Sequence, residues 1–227
     1  EGVRLRPDDS HSRRELTMEE LHRLLAAANN EWHLLFLIGI YTGLRLGDCC
    51  RLDWSQINLA AGVIQIVPQK TRRHHQRLVT IPIHPKLGAE LVGRGVLTAP
   101  QPMQNADSFE DGCGGLGTAR PTTVGPVLPM IAEMYGRARW RVSHELAKIF
   151  RAAGITTSVW IEGRRHRTPE ATFHSLRHTF VSFAANAGVP LHIVQSIVGH
   201  ESTAMTRHYY HENIDALKSA VAAIPAL

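Results

Sequence analysis

The hydrophobic pattern changes period several times along this chain. Leu21, Leu24, Leu25 and Ala28 fall on one helical face. Thr17-Met18-Glu19-Glu20 opens that helix as a capping box, the Thr17 hydroxyl accepting from the Glu20 amide while the Glu20 carboxylate reaches back. A second, more apolar helix is predicted from about Trp32 to Thr42, with Gly43 placed to end it and Arg45 where a new helix starts. Val63 to Val67 and Leu78 to Ile83 read as two strands of a hairpin. Their connection carries Lys70, Arg72, Arg73 and Arg77 and no acid. A helix follows from about Pro85 to Val92, and another spans Trp140 to Ala153. From Thr172 onward the pattern is nearly all helical, broken at Gly188-Val189-Pro190 and at Gly199.

Two stretches lack this order. Residues 1–15 are charged and aperiodic, and read as a tail or linker. Residues 93–126 are rich in glycine and proline, and read as a flexible loop or an insertion. No internal repeat is visible. At 227 residues the chain is long enough for one domain with a sizeable core.

Charge narrows the class of partner. The formal net charge is +5 and the isoelectric point about 9.4, which suits a polyanion without specifying a fold. Many of the 14 histidines neighbour arginine, so the basic surface grows as pH falls. The three cysteines, Cys49, Cys50 and Cys113, have neither zinc spacing nor a disulfide framework. Cys49 and Cys50 read as buried thiols, and a reducing cytoplasm is the expected location. No apolar run reaches the roughly 18 residues of a membrane span, and no signal peptide is recognisable.

The chemistry concentrates in a few short motifs. His174, Arg177 and His178 stand at i, i+3 and i+4 and share a helix face. His174 lies in the first turn, where free amides favour an anion. The histidine spacing also fits a zinc pair, but Arg177 would set a fixed cation beside the metal, and no glutamate follows His174. Arg45 and Arg177 together offer two bidentate forks for the oxygens of a phosphate. Asp48, one turn beyond Arg45, is placed either to hold that arginine by an ion pair or to face solvent as an ordinary helix acid. His200 follows Gly199, and Tyr209 comes nine residues later with Tyr210 beside it.

Thr42-Gly43-Leu44-Arg45, Lys70-Thr71 in a hairpin, His174-x-Leu-Arg177-His178-Thr179, Val198-Gly199-His200 and Tyr209 resemble the phage-integrase type tyrosine recombinases in order and spacing. The resemblance runs from about Arg14 to Ala223, broken by the glycine/proline-rich stretch. It implies that Tyr209 is a nucleophile forming a 3′-phosphotyrosine link to DNA. It further implies that Arg45, Arg177 and His200 hold the phosphate, that Lys70 protonates the leaving 5′ oxygen, and that His174 assists proton movement. Neither a metal nor any other cofactor is implied, and rejoining needs no ATP because the covalent link stores the energy of the broken bond. Neighbouring residues on a helix point roughly 100° apart, so one of the two tyrosines enters the site, and the family spacing selects Tyr209 over Tyr210.

The chain also departs from the family pattern. Asp48 stands where glutamate is common, Ser175 where aspartate is common, and Arg72-Arg73 where a glycine often follows Lys-Thr. Arg72 and Arg73 are candidate DNA-backbone contacts. So are Arg164, Arg165 and Arg167, in a basic strip that either faces solvent as a loop or positions DNA without reading its sequence.

The fold expected on this resemblance is α+β and mostly α, a tyrosine recombinase catalytic domain over residues 16–227 with a small antiparallel sheet carrying Lys70. The helical DNA-binding domain that precedes it in family members is expected to be absent from this chain. Double-stranded DNA is the expected partner, with a homotetramer forming on it. The apolar positions Ile214, Leu217, Val221 and Ile224 either dock on their own domain or exchange with a neighbouring protomer. A type IB topoisomerase and a non-catalytic DNA-binding regulator remain as other classes. The spacing from Gly199-His200 to Tyr209 argues against the first, and the intact set of reactive residues against the second.

Overall fold

The computed structural model describes residues 13–69, 78–98 and 125–198. The helices are α1 (Met18–Ala27), α2 (Asn30–Thr42), α3 (Leu46–Cys49), α4 (Pro85–Thr98), α5 (Pro129–Arg137), α6 (Arg139–Ala152), α7 (Phe173–Asn186) and α8 (Leu191–Val198). The strands are β1 (Ile57–Asn58), β2 (Val63–Ile66), β3 (Val79–Pro82), β4 (Ser158–Val159) and β5 (Thr168–Pro169). Among the described residues no helix is long and apolar enough to cross a membrane.

The core forms around α2. Leu34, Leu35, Phe36, Leu37 and Ile38 are consecutive and all fully buried, so the middle of this helix has no solvent face. Its all-round apolar sequence is that of an element packed on every side. It meets α1, α3, α4, α5 and α7. Phe36 sits edge-on to Phe150 of α6 at 5.9 Å and stacks with Phe173 of α7 at 6.4 Å. Gly39 lets α7 approach, since a Cβ there would lie 2.8 Å from the Phe173 ring.

The capping box of α1 forms as the sequence predicts, with Leu21 and Leu24 buried below it. β2 and β3 pair antiparallel, Ile66 opposite Val79, so the basic connection leaves from one end of a real hairpin. β1, too short to show a period, adds on the other edge to give the order β1-β2-β3. α4 extends to Thr98, past Gly93 and Gly95 and into the stretch read as a loop. Leu87 and Leu91, one turn apart and fully buried, anchor it. A glycine in a helix costs only about 1 kcal/mol relative to alanine, which such packing offsets.

α5 has no local signal in the sequence because its cap comes from elsewhere. Glu31 of α2 accepts from the amides of Met130 and Ile131 at 3.0 and 2.9 Å, satisfying the helix start that Leu128 cannot cap. The chain ahead of α1 is also anchored. Arg14 makes a bidentate pair with Glu20 at 2.7 and 2.6 Å and reaches Glu170 at 3.1 Å. The Leu16 amide donates to the Thr179 hydroxyl at 2.8 Å.

Gly43 ends α2 in the left-handed conformation at φ 63°, and a Cβ there would lie 2.8 Å from Phe180 and 3.2 Å from Val198. Replacing it by alanine adds about 1–2 kcal/mol of backbone strain to an overpacked junction costing about 1–3 kcal/mol. Urea denaturation of Gly43→Ala is expected to show a loss of about 2–5 kcal/mol.

Candidate active site

Three segments meet at the guanidinium of Arg177. Its side chain is 3% exposed on the inner face of α7. One terminal nitrogen donates to the Gly43 carbonyl at 2.8 Å and the other to the Val198 carbonyl at 2.5 Å. Gly43 closes α2 two residues before Arg45, and Val198 closes α8 two residues before His200. A single side chain therefore fastens the turn that presents Arg45 to the helix end that leads to His200.

Local chemistry explains each piece. At the end of α2 the Thr42 hydroxyl donates back to the Ile38 carbonyl and accepts from the Leu44 amide at 3.2 Å, tightening the turn. Arg45 then occupies the N-cap of α3 in extended conformation, its side chain half-buried. At the start of α7, Thr172 accepts from the His174 amide at 3.3 Å while Ser175 accepts from the Thr172 amide at 3.2 Å. Ser175 thus completes a capping box, so serine performs at this position the capping that an acid performs elsewhere.

His174 and His178 stand edge to face, 4.8 Å between ring centroids, as their spacing predicts. Among the described residues no three His, Cys, Asp or Glu side chains gather as a metal site requires. Burial holds His174 neutral, pushing its pKa down to about 3, helped by the charges of His178, Arg177, Arg13 and Arg45. Arg177 is pushed down to about 9, by burial first and then by Arg45, against the pull of Asp48. Both shifts have the sign of cations crowded together out of water, an arrangement that favours a bound anion.

Asp48 differs from both sequence expectations. It is 3% exposed, and Oδ1 accepts from the Gln69 amide at 3.0 Å. The ion pairs found among the described residues do not include one between Asp48 and Arg45. The carboxylate holds the backbone where the β2–β3 connection begins, next to Lys70, and acts on Arg177 through its field. Cys49 and Cys50 are buried as expected, their thiols pushed up by desolvation, Cys50 to about 12.

The basic strip lies in the connection between β4 and β5. Arg164 donates to the Thr168 hydroxyl and Arg167 to the Ser158 carbonyl, both at 3.3 Å, while Arg165 is exposed. Thr157, Ser158 and Pro169 line a cavity of about 570 Å³, together with α6, the start of α7, Leu46, His174 and Arg13. Arg13 went unread because it stands in the charged, aperiodic stretch; the alternation of Arg14 and Leu16 just before the capping box was the available signal. Lys70, Arg72, Arg73, His200 and Tyr209 lie outside the described residues, as do Tyr210 and the apolar positions of residues 212–227.

The His174 shift predicts a pH dependence. The folded-state pKa lies below the ordinary 6.5, so the unfolded chain binds the extra proton first as pH falls. Stability contributed by neutral His174 is full above 6.5 and lost on acidification toward about 3. The limiting slope is about 1.4 kcal/mol per pH unit. Urea denaturation between these limits should show a shallower decline for His174→Gln than for the unaltered protein.

The sequence and the fold are similar to those of known proteins. The family model described as "Phage integrase family" matches residues 14–93 and 137–215. The chain is 25% identical to the integrase of Salmonella phage P22 over 196 residues, covering 86% of this chain and 43% of that one. It is 26% identical to tyrosine recombinase XerA of Pyrococcus furiosus over 212 residues, covering 91% of this chain and 60% of that one. The chain thus spans about half the length of these curated relatives. The solved catalytic domain of bacteriophage HP1 integrase shares the fold, with TM-score 0.54 and 21% identity over 94% of this chain and 96% of that one.

Proposed function

Because this chain belongs to the phage integrase family, we propose that it is the catalytic domain of a site-specific DNA recombinase acting through a covalent tyrosine–phosphate link. The Tyr209 phenol oxygen attacks a backbone phosphorus, its proton passing toward neutral His174. The bond from phosphorus to the 5′ oxygen breaks, and that oxygen takes a proton from Lys70. A 3′-phosphotyrosine and a free 5′-hydroxyl result, and attack by another 5′-hydroxyl reverses the steps and reseals the strand.

Arg45, Arg177 and His200 hold the non-bridging oxygens as charge builds in the transition state. With that positive charge supplied by side chains, the reaction needs neither metal nor ATP. The observation that carries the reading is the pair of hydrogen bonds from Arg177 to Gly43 and Val198, which joins the turn before Arg45 to the end of α8. Its burial also fits: a cation at 3% exposure, repelled by Arg45, gains most when a phosphate arrives. Double-stranded DNA is the substrate, and exchange of residues 212–227 between protomers is the proposed route to a tetramer on it.

A nicked duplex from which the short 5′-hydroxyl strand diffuses away tests the chemistry. The reading expects a protein–DNA adduct that survives SDS, and a supercoiled plasmid lacking a recombination site that stays supercoiled. Absence of the adduct contradicts the phosphotyrosine chemistry. Relaxation of that plasmid instead indicates a topoisomerase.

A further inference from the structure

We infer that Arg13 is an additional DNA-phosphate ligand of this site, holding a phosphate next to the one cleaved, and that Arg14 is the clamp that keeps it there. The inference rests on the recombinase reading and assigns a residue outside the motifs that support it.

Three observations carry it. Arg13 lines the cavity beside α7 with Leu46 and His174, so it belongs to the same surface as the Arg45 turn and the first turn of α7. Its charge is felt on the His174 ring, alongside those of Arg177 and Arg45. Its side chain is nevertheless exposed, whereas that of Arg177 is buried. A buried arginine fixes one phosphate; an exposed one at the rim of the same cavity is placed for its neighbour on the strand.

The backbone next to Arg13 is held by several bonds of Arg14 and Leu16. The Arg14 amide donates to the Glu170 carbonyl at 3.1 Å, and its guanidinium reaches the Glu170 carboxylate at 3.1 Å. The same guanidinium grips both Glu20 oxygens, and the Leu16 amide binds Thr179 on α7. Arg14 and Leu16 alternate inward, which leaves Arg13 on the outer side of a fixed strand-like segment. Pre-ordering of this kind removes the entropy that a loose arginine loses on binding phosphate.

The test is the salt dependence of binding to the nicked duplex, measured for the unaltered protein, Arg13→Gln, Arg13→Lys and Arg14→Ala. Neutralising one phosphate contributes about 0.9 to the slope of log K against log salt on B-DNA. Arg13→Gln should lower the slope by about that amount with an unchanged melting temperature. Arg13→Lys should keep the slope, and Arg14→Ala should lose it although Arg13 is intact. An Arg13→Gln slope equal to that of the unaltered protein overturns the inference. Adduct formation by the unaltered protein is scored on the same duplex, so the recombinase reading can stand when the inference about Arg13 fails.

Discussion

Arg177→Ala is expected to cut the rate of adduct formation on a nicked duplex by about a thousandfold or more, while stability falls by only about 1–3 kcal/mol. The two effects separate because they have different origins. Removing the guanidinium strips the Gly43 and Val198 carbonyls of their donors in a buried place. Each orphaned acceptor costs about 1–3 kcal/mol. The same change relieves the burial of a cation whose pKa has been pushed down to about 9, and its repulsion by Arg45, so part of the cost is returned. Nothing returns the lost transition-state stabilisation. Arg177→Lys keeps the charge but not the two-pronged geometry, and should recover only part of the rate. Urea denaturation beside single-turnover adduct formation reads both quantities. A variant that loses activity only in proportion to its unfolded fraction would show Arg177 to be structural alone.

Tyr209→Phe is expected to reduce adduct formation to background while duplex affinity stays within a few-fold, because the substitution deletes one hydroxyl and no positive charge. In the proposed mechanism the phenol oxygen is the atom that becomes bonded to phosphorus, so its loss removes the reaction rather than slowing it. Tyr210→Phe is the matched comparison. That variant leaves the proposed nucleophile intact and should retain cleavage. Gel retardation with SDS-resistant adduct measured in parallel distinguishes binding from chemistry.

Much of this architecture was legible because its signals are local. The capping box at Thr17 and Glu20, the all-apolar run of α2 ending at Gly43, and the alternation of β2 and β3 each lie within a dozen or so residues. What escaped depends on partners far along the chain. α5 is capped by Glu31, about a hundred residues earlier in sequence. The strands β1, β4 and β5 are two residues each and show no period. Asp48 turned to the Gln69 amide rather than to Arg45, a choice set by where the end of β2 packs.

The site divides in the same way. Spacing alone placed His174 and His178 on one face of α7. Spacing could not reveal that Arg177 bonds the carbonyls of Gly43 and Val198, because that junction exists only once α2, α7 and α8 are assembled. Arg13 was hidden for a related reason. Its segment has the composition of a tail, and only the bonds of Arg14 and Leu16 to elements beyond residue 169 make it part of the site.

The residue that carries DNA identifies the nucleophile. The unaltered protein is trapped on a nicked duplex, the adduct is digested with protease and nuclease, and the nucleotide-bearing peptide is sequenced by mass spectrometry. A nucleotide joined through its 3′ phosphate to Tyr209 is the predicted result. A nucleotide on Tyr210 or on any other residue, or no covalent peptide at all, would contradict it.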